Sequence, residues 1–292
     1  MTTPDALRSG KTHRDENFPV ASLIIHPRHR EAILAFYRFA RTADDVADNP
    51  SASPAEKLKL LDSMAASLTG ENDAVAESVR LRGLLLARRL TAQHAFDLLE
   101  AFRRDVTKLR YKSWSELMDY CRYSAMPVGR FVLDVHGETS DSWPYNDALC
   151  AALQVINHLQ DCRKDYRQLN RVYLPLEDLK AARIGPEVLD HPFAPPALLA
   201  VIRILAARAV GLLEESRPFA DRVRDLRLGL EIDVIRTLAE NLNRRLMTRD
   251  PLHDRVHHTK SEAAALAVVA TTRFAGRRLF SRGGSSSMVR QR

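Results

Sequence analysis

Two pairs of aspartates with the same spacing are the residues of this chain best suited to chemistry. Asp44 and Asp48 lie in FARTADDVADN, and Asp161 and Asp165 lie in NHLQDCRKDYRQLNRVYLP. Residues four apart on a helix share a face, and like charges at that spacing destabilise an isolated helix. Mg²⁺ offsets such repulsion because it binds one or two carboxylates together with phosphate oxygens. One motif alone is more simply a solvated helix end, but its recurrence predicts a magnesium–diphosphate site.

Arginines accompany both motifs in the sequence. Arg41 precedes Asp44 by three residues, and Arg163, Arg167 and Arg171 surround the second motif. Guanidinium groups bind phosphate oxygens through paired hydrogen bonds. Carboxylates that hold magnesium and arginines that hold phosphate are together the parts needed to ionise an allylic diphosphate. An ordinary ion pair with a nearby acid is the alternative interpretation of Arg41.

The elements that must position these residues are predicted to be helices nearly throughout. Apolar residues recur at three- and four-residue steps, as in Ile33, Phe36, Tyr37 and Ala40. We expect one all-α bundle of about ten helices, with no linker long enough to separate two domains. The helices are predicted at about 30–48, 54–68, 74–90, 92–106, 113–123, 146–165, 197–215, 217–248 and 259–281. Pro127 and Gly129 predict a further, kinked helix in MPVGRFVLDVHG.

Composition excludes several other classes of protein. Hydrophobic residues make up 45% of the 292 and charged residues 28%, which is ordinary for a folded soluble chain. The three cysteines lack metal-ligand spacing and are expected to be reduced in a cytoplasmic protein. The N-terminus lacks the apolar stretch of a signal peptide, and no apolar run reaches the length of a membrane span.

The net charge of +7 is concentrated at one end of the chain. Residues 273–292 hold six arginines and no acid, which leaves the remainder at +1. A nearly neutral body does not favour nucleic acid as a partner. The apolar stretch AAALAVVA before these arginines is compatible with peripheral contact at the inner face of the membrane. A solvated basic tail is the alternative.

Four sequence blocks resemble the squalene/phytoene synthase family: ENFPVAS (16–22), FYRFARTADDVAD (36–48), YCRYSAMPVGRFVLDVHG (120–137) and QVINHLQDCRKDYRQLNRVYLP (154–175). A weaker fifth block is PLHDRV (251–256). The resemblance implies a single all-α isoprenoid-synthase domain over 13–281, a helical bundle around a central cavity. Residues 1–12 would then be a flexible N-terminus and 282–292 a disordered basic tail.

Within that family, ENFPVAS, ARTADDVAD, SAMPVGR and NHLQD are most similar to the bacterial hydroxysqualene synthases of hopanoid biosynthesis. That likeness implies conversion of presqualene diphosphate and water to hydroxysqualene and diphosphate, with Mg²⁺ and without NADPH. Gln160 stands where related synthases carry arginine, and Leu238 stands near the place of a tyrosine; both departures suggest a different reaction step. The alternatives are synthesis of presqualene diphosphate, squalene or phytoene from two allylic diphosphates, or a non-catalytic helical assembly factor.

The resemblance also implies roles for individual residues. The metal ligands would be Asp44, Asp45, Asp48, Asp161 and Asp165, and the diphosphate ligands Arg41, Arg171 and Arg255. Asn157 is added to the metal set because it precedes Asp161 by about one turn, and Gln154 by about two, where an amide could orient a carboxylate or a metal-bound water. Tyr120 would lie near the diphosphate and, with Asn157 and the four paired aspartates, complete the catalytic set. The hydrocarbon tunnel would be lined by Phe18, Tyr37, Val128, Phe131 and Leu153. Core packing explains the aromatic and apolar residues equally well, a surface position explains Arg255, and a helix–helix hydrogen bond explains Asn157.

Overall fold

The computed structural model describes residues 24–286, with side chains as far as residue 279. Within that range the chain forms twelve α-helices and no strand, which confirms the all-α prediction. They are α1 (Pro27–Asp48), α2 (Pro54–Thr69), α3 (Ala76–Arg88), α4 (Gln93–Thr107), α5 (Trp114–Ser124), α6 (Met126–His136), α7 (Trp143–Leu169), α8 (Leu176–Ala181), α9 (Pro196–Glu215), α10 (Phe219–Arg222), α11 (Leu226–Leu246) and α12 (Lys260–Ser286). Short 3₁₀ helices lie at Ser140–Ser142 and Pro186–Asp190.

Helix ends follow local capping chemistry. Ser53 and Glu56 form a reciprocal capping box at the start of α2, and Gly70 ends that helix in the left-handed conformation at φ 90°. The Ser113 side chain accepts a hydrogen bond from the Glu116 backbone N–H at the start of α5. Asn170 ends α7 at φ 51°, so the chain reverses immediately after the second acidic motif.

The helix predicted at MPVGRFVLDVHG is present as α6 (Met126–His136), but the kink expected from Pro127 is wrong, because this proline lies at the start of the helix. The chain breaks at Ala125, and Pro127 lies in the first turn of a separate helix, α6, where its missing N–H costs nothing. Gly129 has a different role from the one expected. A Cβ atom at that position would lie 1.9 Å from Asn146 Oδ1 and 2.7 Å from Cys150 Sγ. Gly129 is therefore required by the close approach of α6 to α7.

Two groups of buried apolar side chains form the core. One group consists of side chains from α1, α2, α3, α4 and α6, and its centre includes Phe39, Leu61 and Leu99. The other surrounds α7 and includes side chains from α5, α9 and α11. Phe36 of α1 stacks on Phe131 of α6 with ring centroids 4.0 Å apart. A cavity of about 390 Å³ lies between the two groups.

The C-terminal region packs on the outside of α11. Arg273 and Arg277 of α12 both reach the buried carboxylate of Asp233, at 3.3 and 3.2 Å. Helix α12 continues past the expected end at residue 281, through Ser286. The predicted flexible segment 1–12 and residues 287–292 of the predicted tail lie outside the described residues.

One described helical stretch, Pro196–Arg222, has the length and apolar composition of a membrane span. Its main part is α9, whose side chains Val201, Ile202 and Leu205 are buried against α7 and α11. Core helices of globular proteins share this composition. Packing in the bundle accounts for the buried face of α9, whereas Ile204 and Val210 on the same helix are exposed.

Candidate active site

The first acidic motif ends α1, where three carboxylates meet two arginines. Arg41 donates to Asp44 Oδ2 and to Asp45 Oδ1, each at 2.6 Å. Arg171 donates to Asp48 Oδ1 at 2.5 Å from a position far along the chain. Asp45 is buried, whereas the side chains of Asp44 and Asp48 keep about one third of their surface accessible. The motif therefore presents two accessible carboxylates, as the spacing predicts.

Arg171 connects the two motifs. It lies directly after the turn that ends α7, and its backbone N–H donates to the carbonyl oxygen of Asp165. Its guanidinium group is buried and also donates to the backbone carbonyls of Asp105 and Ala47. A buried guanidinium held at three points fixes the end of α1 against the end of α7.

The second motif, on α7, has a different set of neighbours. His257 Nε2 lies 3.7 Å from Asp161 Oδ1. The arginines that flank the motif in sequence are used elsewhere: Arg163 donates to the Leu252 carbonyl at 2.7 Å, and Arg167 pairs with Asp190. Among the described residues, no arginine forms an ion pair with Asp161 or Asp165.

Beneath the motifs lies a buried acid that the sequence analysis missed. Asp105 of α4 accepts hydrogen bonds from the hydroxyls of Tyr120 and Tyr173, at 2.8 and 3.1 Å. Tyr120, predicted near the diphosphate, is thus held against Asp105 by its hydroxyl. The available signal was Asp105 itself, because it continues the apolar face of α4 formed by Leu98 and Ala101.

The carboxylates interact strongly enough to change their proton affinities. Burial and repulsion from Asp48 raise the pKa of Asp44 to about 7, although Arg41 opposes the rise. Burial and repulsion from Asp161 raise the pKa of Asp165 to about 7, and Asp48 adds to this rise. Burial raises the pKa of Asp105 to about 6. Because Asp48 on α1 affects Asp165 on α7, the two motifs belong to one electrostatic site.

The cavity extends from this site between the two halves of the core. Of the residues predicted to line a hydrocarbon tunnel, Tyr37, Val128, Phe131 and Leu153 all line it, and Phe18 lies outside the described residues. Arg41 and Asp44 contribute the charged part of the wall nearest the motifs. The rest is mostly aliphatic and aromatic, with Asn146, Cys150 and Glu231 as further polar groups.

The other predicted residues differ in burial and in bonding. Arg255 is exposed, and within the described residues no ion pair or hydrogen bond joins its guanidinium to either motif. Gln154 donates towards the ring of His158 at 3.1 Å, and that ring stacks on Tyr173 at 3.5 Å. Burial lowers the pKa of His158 to about 3, which agrees with a structural, neutral histidine. Asn157 lies half-buried one turn before Asp161.

Gln160 and Leu238, the two residues that depart from the family pattern, both lie outside the main cavity wall. Gln160 is buried, and neither of its amide atoms has a hydrogen-bond partner among the described residues. It lines a second pocket, of about 370 Å³, with Lys164 and Arg167 rather than the main cavity. Leu238 packs with Val234 and Ala270 beneath α12, which places it away from the aspartates.

The donor set fits magnesium. Asp44 and Asp48 at the end of α1, and Asp161 and Asp165 on α7, supply hard oxygen ligands of the kind that Mg²⁺ prefers. The raised pKa values of Asp44 and Asp165 show that the fully ionised set is unfavourable without a compensating cation. Asp45 is less suited to a metal because it is buried and bonded to Arg41.

Comparison with known proteins identifies the family. The chain matches the profile of the squalene/phytoene synthase family over residues 11–262. It is 54% identical to a hydroxysqualene synthase of Rhodopseudomonas palustris and 51% identical to one of Sinorhizobium fredii, each over 283 residues and 97% of both chains. The crystal structure of squalene synthase HpnC from Alicyclobacillus acidocaldarius matches with TM-score 0.67 and 30% identity, covering 77% of this chain and 87% of that one. With the aspartate pairs and the helical bundle, these likenesses show that the chain belongs to the squalene/phytoene synthase family.

Proposed function

We propose that this chain is a hydroxysqualene synthase, which converts presqualene diphosphate and water to hydroxysqualene and diphosphate. The observation that carries the proposal is a mostly apolar cavity of about 390 Å³ whose wall includes Arg41 and Asp44 of the first motif. Such a cavity suits a substrate with a hydrocarbon body and a single diphosphate group. Two bacterial relatives named hydroxysqualene synthase, each more than half identical across nearly the whole chain, favour this reaction within the family.

In the proposed reaction the carbon–oxygen bond to the diphosphate breaks, and its electron pair leaves with the diphosphate. The resulting carbocation rearranges and opens its three-membered ring. The oxygen of a water molecule then bonds to it, and that water releases a proton to the departing diphosphate. Atoms and charge balance without an oxidant or reductant, so the proposal includes no nicotinamide coenzyme.

Mg²⁺ is the proposed cofactor, with Asp44 and Asp48 on one side and Asp161 and Asp165 on the other. When bound, Mg²⁺ would neutralise negative charge on the diphosphate as it leaves. The half-buried amide of Asn157, one turn before Asp161, remains a predicted residue for orienting this ligand set.

The arginines are proposed to bind the diphosphate. Arg41 is bonded to Asp44 and Asp45, so a cation that engages Asp44 would release one of its N–H groups for a phosphate oxygen. Arg171 and the nearby Lys57 extend the positive charge towards Asp48. The apolar cavity wall meanwhile keeps bulk water from the carbocation until its ring has opened.

The test is product analysis with three separate substrates. Purified protein with Mg²⁺ and no NADPH would receive presqualene, farnesyl or geranylgeranyl diphosphate. We expect hydroxysqualene from presqualene diphosphate and no condensation of the other two; Asp44→Asn is the inactive control. Presqualene diphosphate, squalene or phytoene formed from allylic diphosphates would assign a different step. A lack of both turnover and Mg²⁺-dependent diphosphate binding would leave the assembly-factor alternative.

A cytoplasmic location with peripheral membrane contact through α12 is also proposed. Val268, Val269 and Leu279 are 66%, 59% and 73% exposed on that helix. Because Arg273 and Arg277 are paired with Asp233, the apolar residues rather than these arginines would lead the contact. Replacing both valines with serine should reduce co-sedimentation with anionic liposomes, and unchanged co-sedimentation would refute the contact. This substitution leaves the Asp233 ion pairs intact, whereas truncation after residue 272 would remove them.

A further inference from the structure

A second cluster of metal-binding side chain types lies far from the aspartates. His29 is in the first turn of α1, His136 is the last residue of α6, and Asp225 precedes α11. One possible ligand atom from each of the three lies within 4.8 Å of the other two. A rise of ~1.5 Å per residue puts Asp44 about 22 Å from His29 along α1. The cluster is therefore separate from the proposed diphosphate site.

Two nitrogens of this cluster have an unusual environment. His136 Nδ1 lies 2.8 Å from the Val132 carbonyl oxygen, so it carries the ring hydrogen and leaves a lone pair on Nε2. That Nε2 and the Nδ1 of His29 are buried, and neither has a hydrogen-bond partner within the described residues. Buried polar atoms are normally satisfied. A cation between the two nitrogens would satisfy both.

The environment of His29 keeps its ring neutral, as metal binding requires. His29 is only 6% exposed, and its ring lies 4.1 Å from that of His136. Burial and the nearby His136 lower the pKa of His29 to about 4, so the imidazole is neutral near pH 7. Arg28 Nε donates to His29 Nε2 at 2.8 Å. Arg28 is exposed, so it can turn away when Nε2 must carry the hydrogen.

Asp225 supplies the third donor from a fixed position. Its Oδ1 accepts from the backbone N–H groups of Arg227 and Leu228 at 2.8 and 3.1 Å, which leaves Oδ2 outside these bonds. Arg28 and Arg88 raise the local positive potential, whereas Asp225 itself opposes it. Nearby, the carboxylate of Glu138 accepts hydrogen bonds from the backbone N–H groups of Arg224 and Asp225 and adds negative charge.

We propose that His29, His136 and Asp225 bind one transition-metal ion, with Zn²⁺ favoured over Mg²⁺. Two imidazoles and one carboxylate are a zinc-type ligand set and leave one position for water. Donor atoms around tetrahedral zinc are roughly 3.4 Å apart for bonds of ~2.1 Å, so the cluster contracts slightly on binding. The ion ties together the ends of three helices that contribute Ile33, Val132 and Leu228 to the cavity wall. It thus fixes the wall at the end remote from the aspartates.

The first test measures zinc stoichiometry in the full chain without a polyhistidine tag. After treatment with a chelator, the protein is dialysed against Zn²⁺ in excess Mg²⁺, which occupies the aspartate site. We expect one bound zinc per chain, and the same binding in Asp44→Asn. Co²⁺ in place of Zn²⁺ should give the visible absorption of a tetrahedral site. Absence of stoichiometric zinc would overturn the proposal.

The second test assigns the ligands. His136→Gln keeps a donor towards the Val132 carbonyl, and Asp225→Ser keeps a cap for α11, yet each removes a zinc ligand. We expect either change to weaken zinc binding by more than about 10-fold. His253→Ala, at an exposed histidine, is the matched control and should bind zinc normally. Circular dichroism establishes whether the variants are folded. If a variant does not fold, the Co²⁺ spectrum of the unaltered chain tests the site instead. Unchanged binding in both variants would refute the site, whatever the result of the product analysis.

Discussion

In the first acidic motif every carboxylate meets a guanidinium group, because Arg41 pairs with Asp44 and Asp45 while Arg171 pairs with Asp48. In the second motif, on α7, His257 lies 3.7 Å from Asp161. No ion pair to Asp165 occurs within the described residues. The two motifs have the same spacing in the sequence, but the negative charges of their carboxylates are neutralised in different ways.

This difference indicates that the two motifs have different roles in the site. The first motif is held in place by arginines that can also bind phosphate, whereas the second depends more on an added cation. Arg171 follows the second motif in sequence yet serves the first, so it couples them. Both motifs are then needed together for one working site.

Removing one carboxylate from either motif should have the largest effect. Asp44→Asn and Asp161→Asn should each lower kcat/KM for presqualene diphosphate by about 10³-fold, since each removes charge that the transition state requires. Folding should survive, because burial already makes ionised Asp44 unfavourable. Asp73→Asn, at an exposed ion pair with Arg82, is the control and should keep full activity. A loss of activity in only one of the two variants would show that the two motifs are not needed together.

The arginines around the second motif should differ sharply in their contribution to stability. Arg171→Met removes a buried guanidinium from Asp48 and two backbone carbonyls, and should cost about 3–5 kcal/mol in the free energy of unfolding. Arg167→Met removes an exposed pair with Asp190 and should cost no more than about 1 kcal/mol. Urea denaturation measures both. Equal costs would mean that Arg171 does not connect the helices.

Two tyrosines near Asp105 differ in the bonding of their hydroxyl groups, so removing each hydroxyl should have a different effect on the free energy of unfolding. Tyr173→Phe removes a hydrogen bond to a buried carboxyl and should cost about 1.5–3 kcal/mol. The buried Tyr111 hydroxyl has no hydrogen-bond partner among the described residues, so Tyr111→Phe should be neutral or stabilising. Thermal unfolding of the two variants checks this pair. A larger cost at Tyr111 would contradict the proposed bonding around Asp105.

Magnesium should stabilise the protein more at high pH than at low pH. The pKa of Asp44 and of Asp165 is raised to about 7 in the folded chain, above its unfolded value. Their contribution to stability is therefore fully present in acid and lost as pH rises through about 7. Mg²⁺ binds the ionised form, so its effect on Tm should be a few degrees larger at about pH 8 than at about pH 6. Asp165→Asn should reduce this difference, and a Mg²⁺ effect independent of pH would argue against these ligands.

Much of the site was predictable because it depends on local spacing. The helical bundle follows from helical periodicity, and the aspartate pairs from their spacing. The resemblance named five tunnel residues, of which four line the cavity. The partner of Arg171 was not predictable, because Asp48 lies 123 residues away. Asp105 was missed because it belongs to no repeated acidic motif; its position on the apolar face of α4 was the only signal available. Arg255 was favoured by a short motif, yet from that segment His257 approaches Asp161.

Binding of inorganic diphosphate tests most directly whether the two motifs form a single site. Isothermal titration calorimetry would compare the unaltered chain with Asp44→Asn and Asp161→Asn, each with Mg²⁺ and with a chelator. We predict that diphosphate binds only with Mg²⁺ and that either substitution weakens this binding by more than about 10-fold. Full Mg²⁺-dependent binding in either variant would show that one motif suffices and would contradict the account.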